Sequence, residues 1–225
     1  MPQAYVGFYW TLPVPWAGFK TLPKDPVEAA AASLTIRYQR DLARRWAQDH
    51  NGVVIHEKAL MEMEPDRGSP EVAAEAARLL LWARAHEARL LLVDFASEGG
   101  WRAHAPLRHA VAEVLARDPE RAEHLRPDAI PLEGRPRIFD PQEHFREWRA
   151  AQKRRTASKP EHRALILSHL EGLRGMTRAE QAKALAEAGL TTFAGGEWKA
   201  ANLGKFLAVG RAEQAAGPGS LIPPR

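Results

Sequence analysis

The stretch Arg89–Phe95, with the sequence RLLLVDF, is the clearest β-strand in this chain of 225 residues. Its unbroken apolar centre is typical of a strand that is buried on both faces of a parallel sheet. A loop with two glycines, Ser97–Gly100, follows it. Because parallel sheets place their sites beyond the carboxyl ends of the strands, the stretch predicts an α/β fold with a candidate site at this edge.

Strands and helices alternate before this stretch. Ala4–Trp10 and Val53–Ile55 are short runs of apolar, β-branched and aromatic residues, as strands are. An aspartate or serine that precedes a proline marks a helix start, because its side chain caps the first turn and proline suits the first helical position. The pairs Asp25-Pro26 and Ser69-Pro70 therefore predict two helices, of which the first is a single long helix that ends at Gly52.

The alternation continues after the stretch, with a predicted helix from Pro106 to Ala116 and a short fourth strand at Ala129–Leu132. This order predicts a parallel sheet flanked by helices, joined by right-handed crossovers. No loop at the carboxyl end of a strand carries a glycine-rich phosphate fingerprint, so we predict no nucleotide site and no cofactor.

The composition excludes several classes of protein. The chain has no cysteine, which excludes disulfides and thiolate chemistry and fits a cytoplasmic protein. The apolar N-terminus is interrupted by Pro2, Pro13 and Pro15 and has no basic segment, so it predicts neither a signal peptide nor a membrane span. The nine histidines lack metal-ligand spacing, and no metal site is predicted.

Positive charge is concentrated in the C-terminal third. Residues 1–140 hold 18 Lys and Arg against 20 Asp and Glu, whereas residues 141–225 hold 14 against 8. A near-neutral body with a basic end favours a polyanion such as nucleic acid as the partner. A basic surface that is only solvated gives the same balance.

The domain boundaries follow from composition. Residues 1–150 are predicted to form the α/β domain, whose last helix begins at Asp140-Pro141. Residues 151–160 are basic, polar and end in proline, which predicts a linker. A small all-helical domain is predicted over residues 161–210, and residues 211–225, rich in glycine and proline, predict a flexible tail.

The segment Arg163–Leu207 predicts three helices around a small core. Thr177 and Glu180 have the spacing of a capping box at the start of the second helix, and Gly189 ends that helix. Apolar residues recur at helical spacing in all three helices. The predicted inner face holds Ile166, Leu170, Leu173, Leu185, Trp198, Leu203, Phe206 and Leu207.

The opposite face of the third predicted helix presents Asn202 and Lys205 beside the small Ala201, with Lys199 at its start. A long cation suits phosphate or guanine, an amide suits adenine, and a small residue allows close approach. The pattern predicts a helix-turn-helix unit that reads double-stranded DNA through Lys199, Asn202 and Lys205. The residues predicted to contact phosphates are Thr192, Arg178, Lys153, Arg154 and Arg155.

This unit resembles the C-terminal helix-turn-helix of the serine recombinases, which includes a capped second helix, a glycine turn and Gly-x-Trp before the last helix. One position departs from the pattern, because Lys199 stands where the family has a serine or threonine that would cap the third helix. The matching residues are Met176, Thr177, Ala182, Leu185, Gly189, Leu190, Thr192, Gly196, Trp198, Leu203 and Leu207.

The body is similar to the resolvase-type catalytic domain of the same family. The resemblance implies a resolvase-like α/β fold, DNA as the partner, and a homodimer that binds two half-sites. Residues 117–150 have no counterpart. The matching positions are Tyr5–Phe8, Ser33, Leu34, Gln39, Leu42, Trp46, Asp66–Ser69 and Leu90–Asp94.

The residues that carry the family's DNA strand exchange are missing. The family has a serine nucleophile in a Tyr-x-Arg-x-Ser setting, and arginines that stabilise the charge on the phosphoryl oxygens. With Tyr5 in the tyrosine position, Gly7 takes the place of the arginine and Tyr9 that of the serine. The remaining candidates for an atypical active site are Tyr9, Thr11, Arg102 and Arg108.

The sequence thus predicts a DNA-binding protein of the serine-recombinase type that is degenerate at its catalytic residues. Two alternatives stay open. One is an active site-specific recombinase with an atypical nucleophile, Tyr9 or Thr11. The other is an adaptor whose helical unit binds another protein.

Overall fold

A computed structural model describes residues 2–64, 68–97 and 104–215. These residues form two compact units, one of residues 2–14 with 19–148 and one of residues 15–18 with 149–215. Arg102, part of the predicted loop at residues 97–100 and part of the stretch 66–69 that matches the resolvase-type domain lie outside the described residues.

The first unit is built on a four-stranded sheet in the order β2-β1-β3-β4, and all neighbouring strands are parallel. Leu90 and Leu91 on the third strand are fully buried, one on each side of the sheet. The predicted α/β fold with a parallel sheet flanked by helices is therefore confirmed. The strands are β1 (Gln3–Thr11), β2 (Gly52–Met61), β3 (Arg89–Val93) and β4 (Ala122–Leu125).

Four helices cover the two faces of this sheet. The first two pack on Tyr5 and Tyr9, and the next two pack on Val6 and Phe8. This arrangement follows from the alternation of side chains along a strand, which sends odd and even residues of β1 to opposite faces. The helices are α1 (Pro26–Ala32), α2 (Leu34–Asp49), α3 (Pro70–Ala85) and α4 (Ala105–Leu115).

The prediction of one long helix from Asp25 to Gly52 is wrong, because Ser33 divides it. Ser33 has an extended backbone, and its hydroxyl accepts a hydrogen bond from the amide of Ile36 at 3.4 Å. Serine competes in this way with the helical backbone and favours caps over helix interiors.

The predicted short strand at Ala129–Leu132 is present, but it is not the fourth strand of the main sheet. Ile130–Pro131 (β5) pairs only with Ile138–Phe139 (β6), in a separate antiparallel pair. Pro131 has no amide to donate, which keeps such a segment out of a longer ladder. The fourth strand of the main sheet is Ala122–Leu125.

The second unit is helical, and the predicted linker at residues 151–160 is not extended. The helix that begins at Pro141 continues to Ala157, and the next one begins at Lys159. Lysine, arginine, glutamine and alanine are good helix formers, and Pro160 suits a first helical turn. The helices of this region are α5 (Pro141–Ala157), α6 (Lys159–Glu171), α7 (Arg178–Glu187) and α8 (Ala200–Ala215).

The last of these helices continues to Ala215, beyond the predicted start of the tail at residue 211. The remainder of that tail, residues 216–225, lies outside the described residues. Among the helices that the structure describes, none has the length and apolar character needed to cross a membrane.

Candidate nucleic-acid interface

The helices α6, α7 and α8 share a small hydrophobic core. Leu185 and Leu203 are fully buried at its centre, and Trp198 packs edge-on against Phe206 with 5.2 Å between the ring centroids. The predicted inner face is confirmed by this cluster. Its buried members are Ile166, Leu170, Ala182, Leu185, Trp198 and Leu203.

The predicted capping box at the start of α7 is confirmed. The hydroxyl of Thr177 accepts a hydrogen bond from the amide of Glu180 at 3.3 Å, and the Glu180 carboxylate accepts one from the amide of Thr177 at 2.7 Å. The hydrogen bonds from Thr177 lower the pKa of Glu180. The cap fixes where α7 begins.

A tight turn precedes α8. The amide of Thr192 donates to the carbonyl of Gly196 at 2.8 Å, and the Thr192 hydroxyl accepts from the Gly196 amide at 3.0 Å. Gly189 and Gly195 have positive φ angles of 70° and 76°, which favour glycine. Thr192, a predicted phosphate contact, therefore also closes this turn.

Asn202 caps α8 through its side chain. Its Oδ1 accepts from the amide of Lys199 at 2.7 Å, and its Nδ2 donates to the carbonyl of Glu197 at 3.2 Å. The carbonyl of Lys199 accepts the first helical hydrogen bond, from Leu203. Asn202 thus makes the contact that the third residue makes in a capping box, to the amide of the residue at the cap position, and it does not replace the acceptor that a serine or threonine at position 199 would offer to the first helical turn. The amide that we predicted to read adenine is engaged in the protein.

We expect Asn202→Ala to lower the free energy of unfolding of the second unit by about 0.5–2 kcal/mol, the usual cost of losing a cap. Asn202→Asp keeps an acceptor for the Lys199 amide and should therefore lose less stability than Asn202→Ala. Chemical denaturation followed by circular dichroism measures both variants. Equal stability of Asn202→Ala and the wild type would show that the cap contributes nothing.

The face of α8 opposite the core is exposed at Ala201, Lys205 and Ala208, which lie at helical spacing. Lys199 at the start of the helix is exposed as well. Neither lysine forms an ion pair with another residue of the described part of the chain. This face offers two cations and a surface of small side chains.

The other predicted phosphate contacts differ in their surroundings. Lys153 and Arg154 are exposed on α5. Arg178 donates a hydrogen bond to Gln181 at 2.7 Å. Arg155 lies over two aromatic rings. The structure places these residues on helices, where sequence reasoning had placed three of them in a linker.

Tyr9, one of the candidate nucleophiles, is 1 % exposed. Its hydroxyl donates to Glu57 at 3.1 Å, and the same carboxylate accepts hydrogen bonds from Arg40 and Arg44. Burial, together with the negative charge of Glu57, raises the pKa of Tyr9 well above its ordinary value. A buried, neutral phenol that donates to a carboxylate is a poor nucleophile.

The other candidates for catalysis do not join Tyr9. Thr11 is buried, with its hydroxyl 3.4 Å from that of Ser33. Arg108 lies on α4, which packs on the opposite face of the sheet from Tyr9. Arg102 lies outside the described residues. The described candidates therefore form no common site.

A cavity of about 20 Å³ lies at the carboxyl ends of β1 and β3, where such a sheet reverses its strand order. This volume holds roughly one water molecule. Its polar lining includes Asp94, His104, Arg108 and His124.

Sequence reasoning missed a buried polar network at the same edge. Glu62, directly after β2, is 1 % exposed. Its carboxylate accepts hydrogen bonds from the amides of Glu64 (2.6 Å) and Ser69 (2.8 Å), from the Ser69 hydroxyl (3.1 Å) and from Nε2 of His104 (2.5 Å). Burial alone would raise the pKa of Glu62, but these hydrogen bonds outweigh it and lower that pKa.

His104 joins this network to the start of α4. Its Nδ1 accepts a hydrogen bond from the amide of Leu107 at 3.1 Å, so the ring proton is on Nε2 and is donated to Glu62. Gly68 lies against the same ring, where a Cβ would be 2.8 Å from it. The only sequence signals were Ser69 directly before Pro70 and His104 two residues before Pro106, prolines that mark helix starts. The network joins the starts of α3 and α4 to the end of β2.

Within the described residues, no group of three or more His, Cys, Asp or Glu side chains is placed to hold a metal ion. Comparisons of the chain with protein-family models, curated proteins and solved structures found no match. The similarity to the serine recombinases therefore rests on the residues quoted above.

Proposed function

We propose that this chain is a DNA-binding protein that docks its C-terminal helices on double-stranded DNA, as a helix-turn-helix does. The observation that carries the proposal is the exposed face of α8, where Lys205 lies between Ala201 and Ala208. Small side chains let a helix backbone approach a groove, and a lysine can reach a phosphate or the edge of guanine.

The surrounding charge supports the same partner. Residues 141–225 carry 14 Lys and Arg against 8 Asp and Glu, and Lys153, Arg154 and Lys199 are exposed. Neutralising DNA phosphates with such side chains releases bound counterions, which supplies sequence-independent affinity.

In this proposal the first unit is a resolvase-like body, and the chain binds two DNA half-sites as a homodimer. The four-stranded parallel sheet with helices on both faces is compatible with that body. The dimer and the half-sites follow from the resemblance of the sequence to the serine recombinases.

Strand exchange is not part of the proposed function. The family's serine position holds Tyr9, whose buried hydroxyl donates to Glu57. The recombinase alternative would require a covalent adduct between the protein and supercoiled DNA, lost on Tyr9→Phe or Thr11→Ala. We expect no adduct in the wild type.

Lys205→Ala is expected to weaken binding to a specific duplex by about 1–3 kcal/mol, the usual range for a side chain at a base edge. Lys183→Ala is the matched control, because Lys183 is an exposed lysine of the same unit that pairs with Glu187 at 3.8 Å. Selection of a duplex from a random library, followed by fluorescence anisotropy, gives both affinities. If the two variants lost the same affinity for the duplex, α8 would not be part of the DNA interface.

The adaptor alternative has an observation of its own. Leu165, Met176 and Val209 in the second unit are 54 %, 48 % and 53 % exposed, and exposed apolar side chains can contact another protein. It predicts no salt-dependent affinity for DNA, so the same titrations distinguish the two functions.

A further inference from the structure

Arg155, near the end of α5, lies over two aromatic rings of the second unit. Its guanidinium carbon is 4.3 Å from the ring centre of Phe193 and 5.4 Å from that of Trp16. Trp16 belongs to Pro15–Gly18, the short segment that groups with the C-terminal helices. A guanidinium is planar and weakly hydrated, so aromatic rings attract its faces.

The N–H donors of this guanidinium are unused within the part of the chain that the structure describes. The Arg155 side chain forms no hydrogen bond and no ion pair with any other described residue, and it is only half-buried. An arginine carries five N–H donors in its plane. The half-buried guanidinium of Arg155, which lies over the two rings, therefore has N–H donors available for a ligand.

The ring of Phe193 is itself held in place. His162 on α6 packs edge-on against Phe193, with 5.4 Å between the centroids, and its Nε2 lies 3.0 Å from the carbonyl of Thr191. Phe193 is part of the turn that leads to α8. The contact with the rings already restricts the rotamers of Arg155. The arginine therefore loses less conformational entropy when a ligand binds, which favours binding.

We propose that Arg155, Trp16 and Phe193 form a preorganised phosphate-binding site, which takes one phosphodiester of the DNA backbone. Arg155 donates its edge N–H groups to the phosphate oxygens, and the two rings are positioning residues. Planar, two-pronged donation to phosphate is the property that distinguishes arginine from lysine here. This inference rests on the proposed function, because it names DNA as the source of the phosphate.

The first test measures how DNA affinity depends on salt. Each phosphate contact contributes about 0.9 to the slope of log Kobs against log salt concentration. We expect Arg155→Gln to lower the magnitude of the slope by about that amount, and Arg155→Lys, which keeps the charge but not the planar donors, to keep the slope and bind more weakly. Phe193→Leu and Trp16→Leu, which keep the arginine, should lower affinity severalfold.

The control is Arg78→Gln, which removes an arginine that is 70 % exposed and pairs with Glu75 in the first unit. A change in slope no larger than that of Arg78→Gln would overturn the proposal.

The second test does not depend on DNA binding. Inorganic phosphate is titrated against the full chain at constant ionic strength, and the Nε–Hε resonance of Arg155, assigned with Arg155→Gln, is followed by NMR. If the wild type shows no salt-dependent DNA affinity, the proposed function fails. A change in the Arg155 chemical shift with phosphate concentration would then support a phosphate site whose ligand is free phosphate. An unchanged chemical shift would overturn the proposed site.

Discussion

Glu62→Ala is expected to lower the free energy of unfolding of the first unit by about 3–5 kcal/mol, because several buried donors lose the acceptor that they share, each at a cost of about 1–3 kcal/mol. The carboxylate accepts four hydrogen bonds, from Glu64, Ser69 and His104. Without it, two backbone amides, a hydroxyl and an imidazole N–H remain buried without an acceptor.

Urea denaturation of the full chain measures this loss. Glu64→Ala is the matched control, because the Glu64 side chain is exposed and only its amide joins the network. We expect the control to change the stability by less than about 0.5 kcal/mol. Similar losses in the two variants would show that the Glu62 network does not hold the edge of the sheet.

The same network predicts a dependence of stability on pH. The pKa of Glu62 is lower in the folded chain than in the unfolded chain, so the unfolded state binds the proton more tightly. The stabilisation is therefore complete above the unfolded value, about pH 4.3, and is lost as the pH falls through the folded pKa. Glu62→Gln should remove the part of the stability loss at low pH that comes from protonation of Glu62. If stability depended on pH in the variant as it does in the wild type, Glu62 would not be the group responsible.

Leu203→Ala is expected to lower the free energy of unfolding of the second unit by about 2–5 kcal/mol, as removal of a buried leucine side chain does. Leu203 is fully buried with Leu185 and Trp198 at the centre of the three helices. Because the proposed DNA-binding face belongs to the same helix, DNA affinity should fall with the helical content.

Val209→Ala provides the control on α8, since Val209 is 53 % exposed. Thermal unfolding by circular dichroism and DNA affinity by anisotropy are measured on both variants. We expect Val209→Ala to stay within about 0.5 kcal/mol of the wild type. An unfolded Leu203→Ala variant that still binds DNA with full affinity would place the interface elsewhere.

Features that depend on neighbours in sequence were predictable. The run RLLLV at Arg89–Val93 needs burial on both faces, and only the centre of a sheet provides it. Ser69 and Thr177 cap α3 and α7 as predicted, because each cap lies within three residues of the amide that it binds.

Features that depend on tertiary contacts were not predictable in this way. Ala122–Leu125 is short and carries Glu123 and His124, yet it pairs with β3 as an edge strand that buries only its two ends. The Glu62 network joins residues 42 positions apart, a separation that no local pattern reveals. Arg155 was assigned to a linker because charge alone does not show that its helix continues.

The candidate interface was predicted in part. The core positions around Leu203 were assigned correctly from helical periodicity. Asn202 was predicted to contact DNA, and in the structure its side-chain amide bonds to the backbone of Lys199 and Glu197 at the start of the helix. The same residue types serve capping and base recognition, so only the geometry separates them.

The central claim is that the C-terminal helices bind double-stranded DNA, and the affinity of the full chain for duplex DNA across a range of salt concentrations tests it most directly. We predict that log Kobs falls linearly with log salt concentration, with a slope that reflects several phosphate contacts. The Lys205→Ala variant should bind more weakly at every salt concentration. An affinity that is absent, or that does not change with salt, would contradict the account.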